Sequence, residues 1–212
     1  MNSDLNRAAC LRIVQEIEAD YQQAPGLILT ENDLQCILHS RLSQAFTRGR
    51  TVEGYRASPV HGEVSWYDQD ERLAIKPDIS IFETENLQLF DRPGMKLPSK
   101  GFAGRGSAIM FELKFFRFVK GPSKSQLAGV WKDLEKIQGL FQRLHRQGPT
   151  GMVHCFFVVF SKSSIGEEQI SQTFHDFSRT STNAFRDNVT FRACTGNAEI
   201  HTQQRRRHGE GA

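Results

Sequence analysis

The sequence predicts an α/β domain, and three observations carry that prediction. Leu127, Val130, Trp131, Leu134, Ile137, Leu140, Phe141 and Leu144 recur at threes and fours, the spacing of one helix face. Residues 152–160, after Gly148-Pro149, form a nearly continuous apolar run, the pattern of a central strand covered on both sides. Residues 108–118 read as a second apolar strand, interrupted by Glu112 and Lys114. The length of 212 residues suits one domain, or one domain with a small addition, and is enough to bury a core.

The remaining elements follow in chain order. Residues 4–23 place Leu5, Ala8, Ala9, Leu11, Ile13, Val14 and Ile17 along a helical stripe, which Pro25-Gly26 ends. Thr30 is an expected N-cap with Asp33 three residues on, opening a helix that carries Leu34, Ile37, Leu38, Leu42 and Phe46 and closes at Gly49. Residues 55–60, 63–67 and 73–82 read as strands, separated by Gly62 and the turn Asp68-Gln69-Asp70-Glu71. Pro93, Gly94, Pro98, Gly101, Gly104 and Gly106 predict a mobile loop without regular structure. A shorter amphipathic helix with Ile170, Phe174 and Phe177 and an alternating strand with Val189, Phe191 and Ala193 complete the pattern. The expected organisation is an N-terminal helix (1–26), one α/β domain (27–200) and a disordered basic tail (201–212) with Arg205-Arg206-Arg207.

Composition narrows the function. No run of eighteen apolar residues exists, which predicts no membrane-spanning helix, and Met1-Asn2-Ser3-Asp4 does not open a secretory signal. Cysteines at 10, 36, 155 and 194 share no short spacing, which argues against a zinc ribbon or a redox pair. The expectation is a soluble, cytoplasmic protein with reduced thiols, Cys36 and Cys155 lying in the core. The formal net charge of +3 is unevenly spread: residues 63–91 carry two basic and eight acidic side chains, residues 92–148 twelve basic and three acidic. Opposite blocks side by side suit a cation held beside a polyanion, or mutual neutralisation across neighbouring elements.

The chemistry concentrates on two strands. In Ile75-Lys76-Pro77-Asp78-Ile79-Ser80-Ile81-Phe82, alternation sends Asp78 and Ser80 to one face and Ile79 and Ile81 to the other. In Ile109-Met110-Phe111-Glu112-Leu113-Lys114-Phe115-Phe116, Glu112 and Lys114 share a face. An unpaired carboxylate buried in such a strand costs several kcal/mol, on the order of 3 or more, so these charges need partners or solvent. Setting the strands side by side makes Asp78, Glu112 and Lys114 converge. Two close carboxylates suit a hard cation such as Mg²⁺, and a neighbouring lysine suits charge developing on a phosphate. The bland account is a surface ion pair at an exposed strand edge.

The order of helix, strand, Pro77-Asp78 strand, Glu112-Leu113-Lys114 strand, long helix and buried strand resembles the PD-(D/E)xK nuclease superfamily, over roughly residues 27–160. The resemblance implies a restriction endonuclease-like fold, a mixed central β-sheet flanked by α-helices, with the 34 positions from Asp78 to Glu112 holding an inserted loop. It implies Mg²⁺ (or Mn²⁺) bound by Asp78 and Glu112, the Leu113 carbonyl as a further ligand, Lys114 as catalytic lysine, and Glu31 as the added glutamate. Glu63 is either a further carboxylate of the site or a solvent-facing strand residue.

Several other residues carry weaker signals. Lys132 and Lys136 flank Asp133 and Glu135, either as a solvated face with paired charges or as a phosphate-contacting face, with Lys136 the better placed. Lys100 and Arg105 lie in a basic, glycine-rich loop that either tracks a nucleic-acid backbone, with Phe102 stacking on a base, or merely connects. Ser123 is an expected helix cap rather than part of a phosphate loop. The seven histidines form no metal-binding spacing, with His39 and His145 expected to be partly exposed, and no nucleophile elbow is present. The expected activity is metal-dependent hydrolysis of DNA; a catalytically inactive binding or assembly subunit and an RNA-directed nuclease remain the alternatives. The expected partner is nucleic acid, and nothing in the sequence decides between monomer and homodimer.

Overall fold

The computed structural model describes residues 3–67, 73–86, 101–102, 106–117, 120–147 and 152–196. In chain order these form α1 (Ser3–Gln23), α2 (Glu31–Ala45), β1 (Gly49–Arg50), β2 (Arg56–Ala57), β3 (Val60–Gly62), β4 (Ser65–Tyr67), β5 (Leu73–Ile75), β6 (Ile79–Phe82), β7 (Gly101–Phe102), β8 (Ala108–Phe116), α3 (Lys124–Gln147), β9 (Val153–Ser161), α4 (Ser164–Thr180), α5 (Asn183–Asn188) and β10 (Val189–Thr195).

The central sheet has five strands in the order β10-β9-β8-β6-β3. Three neighbours, β8, β9 and β10, run parallel, while β6 is antiparallel to β8 and β3 antiparallel to β6. Parallel neighbours need a crossover, which α3 supplies between β8 and β9 and the α4–α5 pair between β9 and β10. This is a mixed α/β fold with a central sheet flanked by helices.

Side-chain alternation sorts the core into two layers. Ile109, Phe111 and Leu113 of β8, with Phe156, Val158 and Phe160 of β9, pack against Ile13, Val14, Ile17 and Tyr21 of α1 and Leu34, Leu38 and Leu42 of α2. Met110 and Phe116 of β8, with Cys155, Phe157 and Val159 of β9, pack against Val130, Leu134, Ile137, Leu140 and Phe141 of α3 and against Ile170, Phe177 and Phe185. All nine residues of β9 are buried, as its apolar run predicts. Each large side chain buried there is worth roughly 1.5–3 kcal/mol.

Local signals set most boundaries. Thr30 Oγ1 accepts the Asp33 N–H at 3.1 Å, and Asp33 Oδ2 accepts the Thr30 N–H at 3.0 Å, a complete capping box for α2. Ser123 caps α3 in the same reciprocal manner: the Gln126 N–H donates to Ser123 Oγ at 3.3 Å and the Ser123 N–H to Gln126 Oε1 at 2.8 Å.

Four expectations need correction. The run 73–82 is two strands in different sheets, because Pro77 cannot donate to a ladder and splits it; β5 joins a small sheet of order β5-β4-β7. The glycine-rich loop contributes β7, paired in parallel with β4, while the rest of residues 87–105 lies outside the described residues. Helix α2 ends at Ala45, short of Gly49, and its buried stripe is Leu34, Leu38 and Leu42. Cys36 is half a turn away from that stripe and is exposed, whereas Cys155 is buried as expected. The turn 68–71 and the tail 201–212 also lie outside the described residues. Among the described residues no helix is long and apolar enough to cross a membrane.

Candidate active site

The site begins where β6 stops pairing with β8. Their register runs Phe82 opposite Ala108, Ser80 opposite Met110 and Ile79 opposite Phe111, and one further step brings Asp78 beside Glu112. Ser80 lies on the α3 face, its Oγ accepting from Trp66 Nε1 at 3.0 Å. Strand parity therefore puts Asp78 and Glu112 on the same side of the sheet.

Asp78 is fixed at its backbone on both sides. Its N–H donates to the Phe111 carbonyl at 3.1 Å, and its own carbonyl accepts from the Glu63 N–H at 3.0 Å and from Gln35 Nε2 at 2.8 Å. Pro77 lets the chain leave the ladder here, so the Asp78 carboxylate turns to β8 and accepts the Leu113 N–H at 2.7 Å. Two residues further along, the Phe115 N–H donates to Glu31 Oε2 at 3.2 Å. Glu31 is the first residue of the capped helix α2, which is how helix and strand meet at this point. Beyond Phe111 the β8 edge is thus satisfied by two carboxylates in place of a neighbouring strand. A strand residue points its N–H and C=O to the same side, so the Leu113 carbonyl faces this edge too, while the Leu113 side chain is buried.

Glu112 and Lys114 point to the α3 face. Lys114 Nζ lies 3.2 Å from Glu112 Oε1 and 3.2 Å from Asp133 Oδ2, and Asp133 Oδ1 accepts from Lys136 Nζ at 2.7 Å. The first three side chains are largely enclosed, with exposures of 15%, 22% and 14% for Glu112, Lys114 and Asp133. Burial pushes the Glu112 carboxyl up to about 7; Lys114 pulls it down, and Asp78 and Asp133 add to the rise. Burial also raises Asp78, against the pull of the Leu113 N–H and of Lys114. Glu31 is raised by burial as well, with Lys114 opposing, an effect softened by its position at the solvent-exposed rim. Burial lowers the Lys114 ammonium, but Glu112, Glu31 and Asp133 together lift it above the ordinary lysine range.

The structure therefore brings together Glu31, Asp78, Glu112, Leu113, Lys114 and Lys136. Lys132 is exposed on α3 and makes no ion pair with a described residue. Glu63 is also exposed and pairs with Lys76 at 2.8 Å, touching the site through its backbone N–H. Lys100 and Arg105 lie outside the described residues, as does the side chain of Phe102.

Two residues of the cluster are not picked up by alternation or motif spacing, and one of them carries another signal. Asp133 stands three residues after Val130 and four before Ile137, inside the apolar stripe of α3, where a charge needs a partner from the sheet. Gln35 joins the Asp78 carbonyl from the flank of α2, and no sequence pattern marks it.

Four carboxylates (Glu31, Asp78, Glu112 and Asp133) surround Lys114, with Lys136 as the second cation. This excess of negative, hard-oxygen donors fits Mg²⁺ or Mn²⁺ in donor chemistry. As placed, the oxygens are spent on the β8 N–H groups and on Lys114, and among the described residues no three acidic, histidine or cysteine side chains converge as a ready metal cage. Asp78, Glu112, Glu31 and the Leu113 carbonyl are the groups that would hold such an ion. No protein-family model, curated protein or solved structure matches this chain.

Proposed function

We propose that the chain is a divalent-metal-dependent nuclease that hydrolyses phosphodiester bonds of DNA, on a restriction endonuclease-like version of the mixed sheet. The single observation that carries the reading is the clustering of Glu31, Asp78, Glu112 and Asp133 around Lys114 at the unpaired end of β8. A bound Mg²⁺ would supply Lewis-acid polarisation of the phosphate and a more acidic water.

The chain's own groups have separable tasks. Asp78 and Glu112 hold carboxyl groups at a fixed place, Asp78 by virtue of its backbone hydrogen bonds and Glu112 by the enclosure of α3. Lys114 keeps its proton across the neutral range and offers N–H donors to a water or to a phosphate oxygen as charge builds there. Asp133 orients Lys114 from the opposite side, and Lys136 carries positive charge from that pair to the solvent. A phosphodiester backbone suits a cation site with an ammonium fixed beside it.

The test incubates the protein with supercoiled plasmid, linear duplex, single-stranded DNA and RNA, with and without Mg²⁺ or Mn²⁺. Metal-dependent DNA cleavage is expected, falling by about 10²–10³-fold in Lys114→Ala and lost in Asp78→Ala. Cleavage that is absent with every substrate, or that survives both substitutions, overturns the reading in favour of an inactive binding subunit. Cleavage of RNA alone moves the substrate.

A further inference from the structure

Residues 48–57 form an exposed basic element that joins neither apolar core layer. β1 and β2 make a two-stranded antiparallel ribbon with Gly49 opposite Ala57 and Arg50 opposite Arg56. Its turn is tight: the Gly54 N–H donates to the Thr51 carbonyl at 2.9 Å and the Thr51 N–H to the Tyr55 carbonyl at 2.8 Å. Gly54 holds φ +85°, a left-handed conformation that glycine adopts without steric cost. The base is locked to the body of the domain, since a Cβ on Gly49 would fall 1.9 Å from Thr84 Oγ1.

Two features of this ribbon work against the isolated chain. Directly opposed residues share a face, and like charges there repel, yet Arg50 faces Arg56. Arg48, Arg50 and Arg56 are exposed and none is ion-paired with a described residue, although Arg50 Nη1 donates to the Gly54 carbonyl at 2.9 Å. Glu53, half-buried in the turn, is the one acid between Arg48 and Ala57. At the tip, Val52 and Tyr55 are 65% and 57% exposed. A polyanion with a narrow, partly apolar cleft answers both features at once.

The geometry points to insertion of this ribbon into the major groove of duplex nucleic acid, with Arg48, Arg50 and Arg56 against phosphates and Val52 and Tyr55 against base edges. A groove about 12 Å wide admits a two-stranded ribbon. A flat anionic membrane would meet the tip first, where residues 51–55 include one acid and no Lys or Arg. The identity of the partner rests on the nuclease reading. The five residues from Ala57 to Gly62, whose neighbour is the Asp78 carbonyl, span at most about 18 Å. That is roughly half of a 34 Å duplex turn, so the ribbon and the candidate site reach one duplex together.

The experiment is a fluorescence-anisotropy titration of a labelled random-sequence duplex in EDTA, which removes cleavage from the readout. Arg50→Glu/Arg56→Glu is expected to weaken binding more than tenfold, and Arg50→Gln/Arg56→Gln to lower the slope of log K against log salt by about two. Circular-dichroism melts of both variants should match the parent. Because binding is read in EDTA, a parent that binds the duplex yet cleaves nothing with Mg²⁺ sinks the nuclease reading alone, so the two ideas fail separately. Unchanged affinity and slope in folded variants overturn the ribbon's role. So does a parent that binds no duplex, or one whose affinity for phosphatidylserine vesicles or polyglutamate drops as much on substitution as that for duplex.

Discussion

Strands β8 and β9 are neighbours of equal length in one sheet, and they differ in almost everything else. β9 is paired on both edges and buried at all nine positions. β8 matches it residue for residue up to Phe111, after which β6 no longer covers its outer edge. At the aligned pair Glu112 and Phe157, both side chains project toward α3. One is a core aromatic and the other a carboxylate held by Lys114. The difference lies in the neighbours. At this pair the strand with a partner on each side carries an aromatic, and where one partner leaves, charged groups are sustained by one another and by the exposed backbone.

The aligned pair offers the strongest way to break this comparison. Phe157→Ala should cost about 3–5 kcal/mol in a urea titration, because the cavity has no route to collapse between two paired strands. Glu112→Leu, directly opposite, should cost less than about 1 kcal/mol or stabilise, since it exchanges a buried charge for packing. Equal losses at the two positions would mean that β8 is as fully enclosed there as β9.

A second test sharpens the electrostatic half. The Glu112 carboxyl is raised to about 7 in the folded protein, so the native state binds a proton that the unfolded chain has released. The Glu112 contribution to the stability of the metal-free protein should therefore be fullest below about pH 4.5, fall as pH rises toward 7, and level off above it. That fall is about 3 kcal/mol at most, since each tenfold difference in proton affinity between the two states is worth about 1.4 kcal/mol. Glu112→Gln should flatten this part of the pH profile of the urea midpoint. A slope that persists in the variant would assign the titration to another group.

The smallest expected effect concerns how the edge is closed. Thr30→Ala removes the hydroxyl of the α2 capping box and should lower stability by about 1 kcal/mol. In the same variant, hydrogen exchange at the Phe115 amide should quicken, because Glu31 follows the first turn of the helix. Exchange unchanged at Phe115 would separate the cap from the strand.

Much of this arrangement is legible in the residues. The α2 cap, the apolar stripe of α3 and the two long strands follow from Thr30 with Asp33, from spacings of three and four, and from runs that only a covered strand tolerates. The shared face of Glu112 and Lys114 follows from a period of two. Three things do not follow. The run 73–82 alternates smoothly, and only Pro77 shows that its halves serve different sheets. Asp133 sits amid charges and reads as one more of them, although its place in the α3 stripe sets it apart. Gln35 meets Asp78 through a main-chain carbonyl, a contact fixed by tertiary packing that leaves no imprint on spacing.

The carboxylates of Asp78 and Glu31 also guard the molecule against its own kind. The Leu113 and Phe115 N–H groups they cover form the outward row of donors with which a half-finished sheet recruits a strand from another chain. With both N–H groups taken up by carboxylates, an incoming strand finds no free donor at those two positions. Whatever draws the two side chains off the strand would bare those donors again.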